Sequence, residues 1–192
     1  MSTELQKIDR IRFTIRDLEL LPNTENCHEI IDGELFVTRA PHWNHQKVLG
    51  RLYTALDTWS LSDRGFGEAV PTPGLILSEF DAVIPDVVWV SSQEKLENSL
   101  NESGHLTEAP DLVIESLSPG VQNERRDREV KLKLYSIHGV REYWIVDWQA
   151  RKLEVYRRKN AQLQLVETLF ADDTLTSPLL PGFERAIASI FR

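Results

Sequence analysis

Asp111-Leu112-Val113-Ile114-Glu115-Ser116-Leu117, a helical stretch from Asn123 to His138, and Glu142-Tyr143-Trp144-Ile145-Val146-Asp147 together decide the fold. The first and last pieces are almost continuous apolar runs, the pattern of strands covered on both faces. Ser118-Pro119-Gly120 stops the first strand and Gly139 closes the helix. A run of the same type, Ala82-Val83-Ile84-Pro85-Asp86-Val87-Val88-Trp89-Val90, lies upstream and reads as one further buried strand.

Working outward, Asn44 to Ser60 has a helical period, with Val48, Leu49, Leu52, Leu56 and Trp59 on one stripe. Before it, His28 to Val37 reads as two strands joined by Asp32-Gly33, a strong hairpin signal. Thr14 and Asp17 have the spacing of a capping box, opening a short helix that Pro22 follows. Gly65 to Val70 and Gly74 to Leu77 are short strand candidates, and Gln93 to Leu100 a short helix. Lys152 to Arg157 and Gln162 to Leu169 alternate as a hairpin should, and the tail from Ser177 to Phe191 holds two prolines and a last short helix. This order predicts one α/β domain over 14–192, a central mixed sheet flanked by helices, behind a flexible polar stretch at 1–13.

The 192 residues suit a single domain. With 41% apolar and 27% charged residues the chain is too apolar for disorder. The single cysteine, Cys27, excludes an internal disulfide framework and any multi-cysteine metal site, and is read as inert. Thirty acids against 22 bases give a formal charge of -8, so nucleic acid would have to be met through a local basic patch or a metal ion. The N-terminus has no apolar signal core and no run approaches the ~20 residues of a membrane span. A cytoplasmic location is the expectation.

Two carboxylates stand in odd places. Asp86 follows Pro85 among Val83, Ile84, Val87 and Val88, and Glu115 sits among Leu112, Val113, Ile114 and Leu117. Buried carboxylates are paired or bound to metal. Two of them on neighbouring strands ask for a cation, and a hard ion such as Mg²⁺ takes oxygen ligands, polarises a phosphoryl oxygen and acidifies a bound water. On the helical wheel Val130, Leu134 and Ile137 form the apolar stripe, Asp127, Lys131 and Tyr135 flank it, and Arg125, Glu129 and Lys133 face solvent. Lys131 near the sheet is placed to orient a water or balance a phosphate. Glu29 is a further acidic candidate, and His45, in the first turn of the long helix, a contact for a phosphate or a metal-bound water. The segment Glu124 to Lys133 carries five bases against three acids, a local patch for a phosphate backbone.

Each feature has a plainer reading. Asp86 fits a turn after proline, Glu115 an ordinary ion pair, Lys131 a snorkelling surface lysine, His45 a helix cap and Glu29 a solvent-face strand residue. The basic segment fits a solvated helix face with pairs four residues apart.

Taken together, these stretches resemble the Uma-type "putative restriction endonuclease" family of the PD-(D/E)XK nuclease-like superfamily. The matching segments are His28 to Leu35, His45-Gln46, Pro85-Asp86-Val87-Val88, Ala109 to Glu115, Ser118-Pro119, Asp127 to Tyr135, Gly139 to Asp147 and Ser177 to Gly182. The resemblance implies a restriction-endonuclease-like fold and a phosphodiester hydrolase that uses Mg²⁺, or Mn²⁺ in its place. Asp86 and Glu115 would be its metal ligands and Lys131 its catalytic lysine, with Glu29, His45, Asp127 and Tyr135 around them. Two positions depart from the pattern. Leu117 stands where the superfamily has a lysine two residues after the second acid, so Lys131 would take over from the following helix. Gly120 stands where the family often has Ser or Thr. DNA is the implied partner, met by the helix at 125–133, and a homodimer is expected from the need to cut two strands. A catalytically silent binding module on the same fold is the rival expectation, and a hydrolase of another substrate class a third.

Overall fold

The computed structural model describes residues 11–22 and 26–192. In chain order the elements are α1 (Ile15–Leu20), β1 (Cys27–Ile31), β2 (Glu34–Thr38), α2 (Trp43–Ser60), β3 (Glu68–Pro71), β4 (Leu75–Ser78), β5 (Asp81–Val83), β6 (Val87–Val90), α3 (Gln93–Ser99) and β7 (Leu112–Ser116). There follow α4 (Val121–Arg125), a π-helical segment (Arg126–Lys131), α5 (Leu132–His138), β8 (Glu142–Asp147), β9 (Lys152–Lys159), β10 (Gln162–Leu169), β11 (Thr174–Ser177), β12 (Leu180–Ala186) and α6 (Ile187–Ile190).

The main sheet has the order β10-β9-β8-β7-β6-β3. All its pairings are antiparallel except β7 with β8, where Leu112 lies beside Glu142 and Ser116 beside Val146. A parallel pair needs a crossover, and the helical stretch from Val121 to His138 supplies it. Both faces of the central strands are covered, which explains their unbroken apolar sequences. Leu112, Ile114, Trp144 and Val146 join a core under α2, α6 and β12, whereas Val113, Tyr143 and Ile145 join a second core with Leu134 and Tyr135. Burying each such large apolar side chain contributes about 1.5–3 kcal/mol.

A second sheet, β2-β1-β5-β4, and the β11-β12 hairpin lie beside it. The β1-β2 turn is as expected: Asp32 and Gly33 both take positive φ, 51° and 75°. A Cβ at residue 33 would lie 2.7 Å from the Arg12 side chain, so glycine is required there twice over. Arg12 pairs with Asp32 at 2.7 Å and the Phe13 N–H donates to the Gly33 carbonyl. The end of the expected flexible stretch is thus tied to this hairpin, while its first ten residues lie outside the described ones. Thr14 donates to Asp17 from both its backbone N–H (2.7 Å) and its hydroxyl (2.8 Å), as the capping spacing predicted.

Three expectations are corrected. Ala82 to Val90 is two strands in different sheets: β5 pairs with β1 and β4, and β6 with β3 and β7. Proline cannot donate to a ladder, and the chain changes sheet at Ile84-Pro85-Asp86. The tail contains a hairpin before its short helix; Pro181 and Gly182, inside β12, mask that strand in the sequence. Finally, the wheel drawn for residues 123–138 is right for Val130, Leu134 and the solvent-facing Arg125, Glu129 and Lys133, but misplaces Ile137 and the depth of its flank. Ile137 is 66% exposed, whereas Asp127, Lys131 and Tyr135 are buried. A π turn holds more residues than an α turn, so the six-residue π segment rotates the face presented to the sheet.

Candidate active site

The register between β6 and β7 sets Val87 against Ile114 and Val88 against Val113. Continued one step, it brings Asp86 opposite Glu115 on the same face, since side chains alternate along a strand. Asp86 Oδ2 accepts from the Ser116 N–H at 2.7 Å. The other side of the site is the π segment, whose rotated face carries Arg126, Asp127 and Lys131 inward.

Lys131 is the hub. Its Nζ lies 2.9 Å from Glu115 Oε1 and 3.0 Å from Glu29 Oε1. The Tyr135 hydroxyl donates to the same Glu115 oxygen at 2.7 Å. Glu29 Oε1 also accepts the Ile84 N–H at 3.0 Å, a donor released where the chain changes sheet. Arg126 approaches Glu29 at 4.0 Å and Asp127 at 3.5 Å. The Tyr143 hydroxyl donates to the Asp127 carbonyl. His45 Nε2 stands 3.5 Å from Asp86 Oδ2. Among the described residues its Nδ1 is buried with no hydrogen-bond partner.

All seven residues singled out in the sequence therefore converge. Glu29 is not a solvent-face residue and Lys131 is not a snorkelling one: both are buried. Asp86 retains 19% exposure and opens on a cavity of about 130 Å³, which Glu115, Lys131, His45, Arg126 and Asp127 also line. Arg126 was counted in the basic segment but not as a site residue. On an α-helical wheel it points well away from Lys131, and only the π turn unites them. The same turn overturns the picture of a solvent-facing basic helix: Arg126 and Lys131 are internal, and Arg128 pairs with Glu154 and Asp147.

The electrostatics are unbalanced. Four carboxylates, Glu29, Asp86, Glu115 and Asp127, face two buried cations, Lys131 and Arg126, with the exposed Arg39 on the rim of the same cavity. Burial pushes Glu115 up to about 7 against the pull of Lys131. Burial, and then the charge of Glu115, raises Asp86 well above the usual carboxylate range. Burial also raises Asp127. Glu29 is the exception: burial would raise it too, but Lys131, the Ile84 N–H and Arg126 together hold it low. For Lys131 the cost of burial is outweighed by Glu115, Glu29 and Asp127, so it stays protonated. Burial lowers His45 to about 4, with the charges of Lys131, His42 and Arg126 adding to it, which leaves the ring neutral at pH 7.

Fully ionised, the buried groups of the site carry two uncompensated negative charges, and the carboxylates that resist ionisation include Asp86 and Glu115. That donor set fits a hard divalent ion, all oxygen and two charges short. Among the described residues no three His, Cys, Asp or Glu side chains form a metal cage. An ion here would take two carboxylates and complete its shell with water, as Mg²⁺ does.

No helix of the described residues is long and apolar enough to cross a membrane. No curated protein matches the chain. A crystal structure at 1.96 Å of "a putative nuclease belonging to DUF820" from Anabaena variabilis ATCC 29413 is similar in fold, with a TM-score of 0.73 at 18% identity, over 93% of this chain and 97% of that one. The family model Uma2, "Putative restriction endonuclease", matches residues 15–188. The match spans nearly the whole domain and every residue of the Glu29, Asp86, Glu115 and Lys131 cluster, and the chain belongs to the Uma2 family.

Proposed function

We propose that this chain is a metal-dependent endonuclease that hydrolyses phosphodiester bonds in DNA. The observation that carries the reading is Lys131, held protonated between Glu115 and Glu29 beside Asp86, in the wall of a cavity whose buried groups are two positive charges short. Asp86 and Glu115 would hold Mg²⁺, or Mn²⁺ in its place. When bound, such an ion polarises a phosphoryl oxygen and lowers the pKa of a bound water.

The protein's own groups do the rest. Lys131 cannot serve as a base, because three carboxylates keep its proton on. It supplies fixed positive charge where a phosphorane would develop negative charge. Tyr135 and Glu29 fix the Lys131–Glu115 pair in one geometry. Neutral His45, with Nε2 toward Asp86, would exchange a hydrogen bond with a water there.

The test is cleavage of plasmid DNA with Mg²⁺ or Mn²⁺ by the native protein and its Asp86→Ala and Lys131→Ala variants. The native chain should cut, and each variant should lose about 100-fold or more. Equal cleavage by all three would sink the assignment. The charge of -8 favours a second reading, a silent module that keeps the nuclease fold. Calorimetry separates the two: heat from Mn²⁺ binding that vanishes in Asp86→Ala supports the enzyme. Pairing of two copies along the β10 edge, where Leu165, Val166 and Phe170 are exposed, suits a double-strand cut. A monomer mass by light scattering would count against it.

A further inference from the structure

We infer that a DNA duplex docks its phosphate backbone along the outer face of α2, in the groove between that helix and β12, and not on the helix at 125–133. The inference rests on the phosphodiesterase reading of the adjoining site and extends it to the path of the substrate.

The groove encloses about 760 Å³. Its walls come from α2 and from Gly182 to Arg185. It adjoins the candidate active site, for Gln46 lines both cavities. From Gln46 to Ser60 the helix runs roughly 21 Å at 1.5 Å per residue. That length spans about six base-pair steps of a duplex at 3.4 Å of axial rise each.

Charge points the same way. Among the described residues, the cations of the π segment, Arg126, Arg128 and Lys131, are all committed to ion pairs. Lys47 and Arg185, in the groove, form no ion pair among the described residues, and the Arg185 Nε is buried there with no hydrogen-bond partner. Arg39 lines the active-site mouth at one end of this path, equally unpaired. Arg151 lies past Lys47, in a second cavity that Lys47 also lines, on a turn where its φ is 55°. Trp43, 80% exposed, sits one helical turn before Lys47 on the same face. Arg51 is discounted, since it already donates to the carbonyls of Ile190 and Arg192. Glu184, on the rim, is the opposing charge.

An acidic protein could match the charge, but it would have no reason to adjoin a hydrolytic cavity. Phosphodiester backbone explains both the cations and the adjoining cavity.

The experiment is fluorescence anisotropy with a labelled DNA duplex and no divalent ion, across a range of salt, using the full chain. Three double variants are compared with the native protein: Lys47→Ala/Arg185→Ala and Lys47→Ala/Arg151→Gln in the path, and Lys133→Ala/Lys159→Ala outside it. Each path variant should bind about tenfold or more weakly and lose about two from the slope of log K against log salt. The outside variant should match the native protein. Equal weakening in all three, no weakening in the path variants, tighter binding of an RNA duplex, or no binding by the native chain would each overturn the proposal. Native binding through this path by a chain that never cuts would sink the catalytic reading and leave this one standing. Unchanged melting temperatures exclude misfolding as the cause of any loss.

Discussion

At the residue scale, Lys131 and Glu115 show how burial and charge divide a site between them. Glu115 has an ordinary pKa near 4.5 and is pushed up to about 7 on folding. The folded state therefore holds the proton more tightly than the unfolded one. The stability this gives is fully present below pH 4.5 and is lost as pH rises through about 7. Lys131 limits that loss by pairing with Glu115 and Glu29. Replacing it by methionine leaves two buried carboxylates without their shared cation, a loss of about 3–5 kcal/mol for a broken buried pair. Protonation relieves such a site, so Lys131→Met should be far less destabilising at pH 5 than at pH 8. Urea unfolding at both values checks this, and equal losses would mean that the pair is not electrostatically coupled. Nothing in a wheel diagram announces this role. The four-residue spacing from Asp127 to Lys131 to Tyr135 puts them on one face, but their burial depends on a partner, Glu29, a hundred residues away.

At the scale of elements, legibility follows how local the cause is. The Asp32-Gly33 turn and the Thr14-Asp17 cap are set by neighbours in sequence, and both stand as read. So does the α2 stripe, since Val48, Leu49, Leu52, Leu56 and Trp59 are all buried. The sheet change at Pro85 is not local: Ala82 and Val88 are equally apolar, and only their different partners show that they belong to different sheets. The π segment has no sequence signature of its own, so the rotation that buries Arg126 is invisible before the fold is known. Two glycines test the local part. Gly33 and Gly139 have φ of 75° and 97°, the latter at the αL end of α5. A side chain in that region costs about 1–2 kcal/mol. Gly33→Ala should lose more than Gly139→Ala, because an added Cβ meets Arg12 at position 33 and open space at position 139. Chemical denaturation of both variants decides it, and the reverse order would show that Arg12 yields freely.

At the scale of the whole molecule, the charge of -8 is unevenly spent. Part of it is concentrated in one cavity where four carboxylates meet only two buried cations, and the fold tolerates this by keeping Asp86 and Glu115 reluctant to ionise. Above neutral pH the ionised carboxylates repel one another, and two remedies exist: remove a carboxylate, or add a divalent ion. Asp86→Asn applies the first. It keeps an oxygen for the Ser116 N–H and removes the charge facing Glu115, so without metal at pH 8 it should melt higher than the native protein. Mg²⁺ or Mn²⁺ applies the second. A ligand that binds only the folded state stabilises it by about 2.7 kcal/mol at a hundred times its Kd. The native protein should therefore gain several degrees on adding Mn²⁺, overtaking Asp86→Asn, which should gain little. Thermal melts of the two proteins with Mn²⁺ and with chelator test both halves together. If Asp86→Asn melts lower without metal and gains as much with it, the carboxylates are held for the packing of the domain and the ion has no place between them.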